Sequence, residues 1–153
     1  MKNKKNFIIS YLIIFFFFNI AFSSEEINYS SNTIKILEKG KIVSGEGDVQ
    51  ILIGENIFIS SEKFEYNKNT GLYKIFDNVQ FKDKVNNIEA TGPEFILSTF
   101  DNKIISKRKS KIIYNETYDI DLDSFEYDIN DQKISSDDFV KIKDNINNYF
   151  ELY

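Results

Sequence analysis

Cysteine and histidine are both absent from the 153 residues, and proline occurs once, at Pro93. Without histidine the commonest general base and metal ligand is missing. Without cysteine there are no disulfides, no thiolate chemistry, no Cys-type zinc sites and no lipoprotein anchor. Catalysis would rest on carboxylates, Lys, Ser or Tyr alone, as in some glycosidases, so the sequence argues against an enzyme. With one Pro and only six Gly, long disordered linkers are not expected either.

Basic charge is also scarce once the N-terminus is set aside. Lys2, Lys4 and Lys5 precede an apolar run from Phe7 to Phe22, and the small residues Ala21 and Ser23 follow the spacing of a signal-peptidase site. A basic head, an apolar stretch and a small-x-small exit describe a secretory signal peptide over residues 1–23. The run is shorter than the roughly 20 residues of a comfortable membrane span and Asn19 interrupts it, which disfavours the competing reading of an uncleaved anchor. Those 23 residues hold three Lys and no acid. The remainder therefore carries sixteen basic and twenty-four acidic side chains, a formal charge of −8. Such a chain offers no general field for nucleic acid or an anionic bilayer.

What the chain has in quantity is apolar and aromatic residues, 42% and 16%, in a repeating order. "GDVQI" at Gly47–Ile51 returns as "DNVQF" at Asp77–Phe81 and "DFVKI" at Asp138–Ile142. Val49, Val79 and Val140 lie 30 and 61 residues apart, so an intermediate copy is expected near Ser110, with Ile112 in the place of Ile51, Phe81 and Ile142. Ile34, Phe64, Phe95 and Phe125 step by 30, 31 and 30, and Ile36, Tyr66, Leu97 and Tyr127 step with them. Two columns sharing one step pattern define four units of about thirty residues.

Within a unit the period is two. Tyr73, Ile75, Val79 and Phe81 alternate with polar residues, as do Ile134, Val140 and Ile142, and Val43, Val49, Ile51 and Ile53. That alternation predicts strands with one covered face. Parity changes between Ile57, Ile59 and Phe64, Tyr66, which requires a bulge or corner within Ser60–Lys63. "NKNTG", "TFDNK" and "DINDQK" supply turns at matching phases. No amphipathic helix is evident, and the mature chain is read as roughly eight stacked strands. "NYFELY" at Asn148–Tyr153 aligns with "NIFISS" at Asn56–Ser61, so the last unit stops incomplete and leaves an unpaired edge.

The stretch "GDVQI…NIFISSEKFEYNKNTGLYKIFDNVQF", with Ile59–Tyr66 as its second element and looser copies at Ile88–Leu97 and Ile120–Asp128, resembles the OstA-like repeat. That repeat belongs to the lipopolysaccharide-transport β-jellyroll family, which takes in LptA and the N-terminal part of LptD. The resemblance runs from about Ile34 to the end. It implies an all-β fold for residues 24–153, a twisted jellyroll of antiparallel strands, open at its ends. It also implies a periplasmic module that shields the lipid A acyl chains of lipopolysaccharide in an apolar groove and meets other jellyroll modules by edge-strand pairing. A soluble bridge, an anchored relay and the first part of an outer-membrane protein all remain open. The expected groove is Ile34, Ile36, Val49, Ile51, Phe64, Tyr66, Tyr73, Ile75, Val79, Phe81, Phe95, Leu97, Ile112, Phe125, Tyr127, Val140 and Ile142. No cofactor or metal is expected.

Three weaker features compete for attention. Lys103, Lys107, Arg108, Lys109 and Lys111 form the one basic run, read as a wet strand face or as a contact for phosphates. Asp119, Asp121 and Asp123 share a strand face but lack the glycine turn of a calcium loop. The alternative to a carrier is a structural β-solenoid spacer or adhesin-like module whose apolar residues simply pack shut.

Overall fold

The computed structural model describes residues 26–152, so the expected signal peptide lies outside the described residues. These residues form thirteen strands: β1 Ile27–Ser30, β2 Thr33–Leu37, β3 Ile42–Ile53, β4 Ile57–Asn67, β5 Leu72–Asp83, β6 Ile88–Ser98, β7 Lys103–Ser106, β8 Ser110–Tyr114, β9 Tyr118–Leu122, β10 Phe125–Asp128, β11 Lys133–Ser135, β12 Val140–Lys143 and β13 Tyr149–Leu152. One 3₁₀ turn, Glu38–Gly40, joins β2 to β3. Among the described residues no helix is long and apolar enough to cross a membrane.

Every pairing is antiparallel, and the strands fold along a line of corners into two leaves. Strands β3 to β6 belong to both. Their registers shift between Glu46 and Val49, between Ser60 and Lys63, and between Phe76 and Val79. The parity change in Ser60–Lys63 is thus a corner, as expected. Asp48, Asp77 and Asn78 take positive φ there, a conformation that Asx side chains tolerate better than most. The first leaf runs β2, β3, β4, β5, β6, β7, β10, β11. The second runs β1, β3, β4, β5, β6, β8, β9, β12, β13.

The count of eight strands is corrected upward for two reasons. After β6 the corners become loops rather than bulges, so each later long strand divides in two. The short edge strand β1 also escapes detection, because four residues carry too little alternation.

The repeat columns become rows running across the leaves. In the first leaf Ile34, Gly45, Phe64, Ile75 and Phe95 stand side by side, then Ser106 and Phe125. Beside them run Ile36, Val43, Tyr66, Tyr73, Leu97, Ile104, Tyr127 and Ile134. In the second leaf Tyr29, Ile51, Ile59, Phe81, Ala90, Ile112, Ile120, Ile142 and Phe150 form one row. Ser110 does take the place of Val49, Val79 and Val140, and it is buried. Glycine is required where rings cross the corner. A Cβ on Gly45 would lie 2.3 Å from Phe64 Cε1, and one on Gly92 would lie 2.8 Å from Phe95 Cε1.

One register differs from expectation. Phe150 pairs with Ile142 as Ile59 pairs with Ile51, so "NYFELY" is shifted by one residue against "NIFISS". Both pairs are eight residues apart, so the turn adds no residue, and it is the match of Asn148 to Asn56 that sets the copies one residue out. In that turn Asp144 accepts from the backbone N–H groups of Ile146 and Asn148 and from Asn148 Nδ2. The shift puts Phe150 and Leu152, rather than Glu151, on the inner face.

Candidate functional site

The inner face is where the two leaves meet, and the expected groove residues all lie on it. Their rows place Phe64 5.1 Å from Tyr29 and Phe81 5.5 Å from Tyr127, ring centre to ring centre, each pair spanning the two leaves. Val49, Ile51, Phe64, Tyr73, Ile75, Val79, Phe81, Phe95, Leu97, Ile112, Phe125 and Tyr127 are buried in one continuous core. Each large apolar side chain so buried contributes about 1.5–3 kcal/mol. Over the middle of the molecule, then, the inner face is shut rather than open as a groove.

The two ends differ from the middle. Ile34 and Ile36, on edge strand β2, are 48% and 69% exposed although their rows face inward. Tyr66 is half-buried there, stacked on Tyr73 with ring centres 4.1 Å apart. The rings of Tyr29, Phe64, Tyr66 and Tyr73 thus form one cluster. Burial, then the neighbouring Tyr66 and Tyr29, hold the Tyr73 hydroxyl well above the usual phenol range, so it is a neutral donor. At the other end Val140 and Ile142 are half-buried, while Phe150 and Leu152 beside them are 50% and 57% exposed. Both mouths of the stack therefore present apolar side chains to solvent.

Among the described residues one buried inner-face side chain is charged. Asp83 is the last residue of β5, at the same parity as Tyr73, Ile75, Val79 and Phe81, and only 3% exposed. Its carboxylate accepts from Tyr127 Oη at 2.6 Å and Asn86 Nδ2 at 2.8 Å, and from the backbone N–H groups of Val85 and Asn86 at 2.9 and 3.1 Å. Burial pushes its pKa up, but the bonds from Tyr127, Asn86 and Val85 outweigh that and leave it below the ordinary carboxylate value. The same contact and burial raise Tyr127. Asp83 was missing from the expected site because only apolar residues were collected, although its phase was readable. Tyr29 was missed because a four-residue edge strand carries little pattern, and Phe150 and Leu152 because the last strand was read one residue out of register.

The outer faces carry the charged pairs. Lys103 bonds Glu126 at 2.5 Å and Lys111 bonds Asp119 at 2.9 Å across neighbouring strands, so two of the five basic residues belong to a matched wet face. Such pairs contribute little, about 0–1 kcal/mol each. Lys107, Arg108 and Lys109 sit exposed at a corner, and Arg108 does not point inward. Among the described residues no three acidic side chains gather as a metal site.

No protein-family model and no curated protein sequence matches the chain. Among solved structures, the chain is similar to LptH of Pseudomonas aeruginosa, the LptA-homologous periplasmic component of the lipopolysaccharide transport device. The match has a TM-score of 0.64 at 11% identity, over 84% of this chain and 95% of that one. Two unrelated signals, the thirty-residue repeat and the backbone as a whole, lead to one architecture. The chain has the LptA-like β-jellyroll fold.

Proposed function

We propose that this protein is a non-catalytic periplasmic module that binds lipopolysaccharide, covers its lipid A acyl chains between the two leaves, and passes it toward the outer membrane. The observation that carries the reading is the inner face itself: continuous apolar rows that run the length of the stack and emerge uncovered at both ends. Apolar burial contributes about 0.8 kcal/mol per CH₂, so a multi-acylated lipid is held without any specific polar contact. Rows of near-equivalent side chains also offer a lipid successive positions of similar depth. The exposed ends, Ile34 and Ile36 on one side and Phe150 and Leu152 on the other, suit edge-strand pairing with further jellyroll modules.

Because the middle is shut, the leaves must part to admit an acyl chain. The spacer reading is favoured by that same closed core and stays in contention until tested. A photoreactive amino acid at Phe64, Val79, Phe95 or Ile142, with Lys74 and Lys141 as outward controls, is irradiated with lipopolysaccharide. Adducts at inward positions only are expected. No adduct in a folded chain would return the rows to plain core and make the module a spacer.

A further inference from the structure

The two leaves are joined differently along their two long margins. At the corner margin the chain itself connects them through bulges, and hydroxyls reinforce it: Ser106 and Ser110 lie 2.9 Å apart, and both donate to the Arg108 carbonyl. The opposite margin is the line where the hairpin turns face one another. Among the described residues, side-chain hydrogen bonds join the leaves there at one place. Tyr127, in the first leaf, donates to Asp83 in the second at 2.6 Å, and Asn86 donates to Tyr127 Oη at 3.2 Å. Everything else facing across the core near them is apolar.

The chemistry of this contact is asymmetric. Asp83 keeps three bonds from its own turn, those of the Val85 N–H, the Asn86 N–H and Asn86 Nδ2. When Tyr127 withdraws, the carboxylate is not left bare, so separation costs the Tyr127 bonds and little more. A buried carboxylate with no bonds of its own would lock the leaves together, since exposing it unpaired is expensive. A purely apolar margin would lack direction and close in several ways. Immediately outside the contact lies a cleft of about 220 Å³, lined by Ile57, Val85 and Asn86 of one leaf and by Ile129 and Gln132 of the other.

The geometry points to Asp83, Asn86 and Tyr127 as a reclosable latch that holds the free margin shut and releases before an acyl chain enters between the leaves. This inference rests on the carrier reading for its purpose but not for its existence. The latch divides the inner face between the aromatic cluster around Tyr73 and the open end around Ile142. A chain moving from one to the other passes beneath it.

The test uses the absence of cysteine, because two introduced thiols are then unique. Spin labels at Val85→Cys and Gln132→Cys, exposed residues on opposite sides of the cleft, report the width of the margin. Tyr127→Phe deletes the hydroxyl and keeps the ring. It is expected to raise the wide population roughly tenfold or more, the effect of losing one charge-assisted bond. Amides of the turns at 84–87 and 129–132 should exchange faster, while those beside the corner at 60–63 stay unchanged. Asp83→Asn, which keeps the shape and an acceptor oxygen, should widen the margin less. An unchanged width in both variants, or exchange accelerated equally at margin and corner, would overturn the latch and make Tyr127 ordinary core. Adding lipopolysaccharide separates the two ideas. If Tyr127→Phe opens the margin and the lipid widens neither protein, the latch stands and the carrier reading falls.

Discussion

Strands β3 to β6 and strands β7 to β13 are built from the same repeat, yet they end up in different states. The first four are eleven or twelve residues long, turn the corner without breaking, and have neighbours on both sides over most of their length. Their inner residues are sealed: Phe95 is fully buried. The later strands are three to five residues long, and their corners open into the loops around Lys107, Ser124 and Asp137. There Ile142 is half-buried and Phe150 half exposed. Repetition fixes which way a side chain faces. Cover is a separate matter, supplied by the next strand and by the opposite leaf, and both run out toward the end of the stack.

The strongest way to break that comparison is truncation of one inner ring from each group. Phe95→Ala should cost about 3–5 kcal/mol, as deletion of a sealed aromatic does. Phe150→Ala should stay within about 0.5 kcal/mol. Urea midpoints measure both, and equal losses would show that the end is covered in solution. Next in size is Gly45→Ala, where the new methyl would fall 2.3 Å from the Phe64 ring, with an expected loss of about 1–3 kcal/mol. The same change at Gly40, where a Cβ meets nothing within 4 Å, is limited to the strain of its positive φ.

Asp83→Asn sharpens the comparison further, with an expected loss of about 1–2 kcal/mol at pH 7. Because the folded pKa of Asp83 is depressed, its contribution is complete above about pH 4 and is lost as pH falls through the folded value. Unfolding midpoints of parent and variant should therefore draw together in acid, and a gap that is constant with pH would remove the carboxylate from the explanation. Smallest in stability is Ile36→Lys, within about 0.5 kcal/mol because the side chain is already wet. Its effect should appear instead as weaker retention of a fluorescent acyl probe, which a matching change at Phe58 on the outer face should not cause.

Much of this was legible in the residues. The columns beginning Ile34–Phe64 and Ile36–Tyr66 became rows of the first leaf, and the parity change after Ile59 became a corner. Alternation reports facing because the pleat has a period of two whatever surrounds it. The same signal is silent about exposure, so Ile36 and Leu97 share a column and differ completely in cover. Nor does it fix the register between copies: matching Asn148 to Asn56 sets the last strand one residue out, and only the pairing of Phe150 with Ile142 reveals that. Asp83 was hidden by the assumption that an inward position holds an apolar side chain.

The corner shared by β3 to β6 has a consequence for how such a molecule changes size. Each thirty-residue unit adds two strands to each leaf and brings its own corners, so lengthening the stack disturbs no existing register. The unit acts as a ruler, advancing the interior by about 4.8 Å per strand. The nine strands of the second leaf thus set an interior on the order of 40 Å long. Duplication or loss of thirty residues would rescale that distance in whole steps, leaving the chemistry of the inner face as it was.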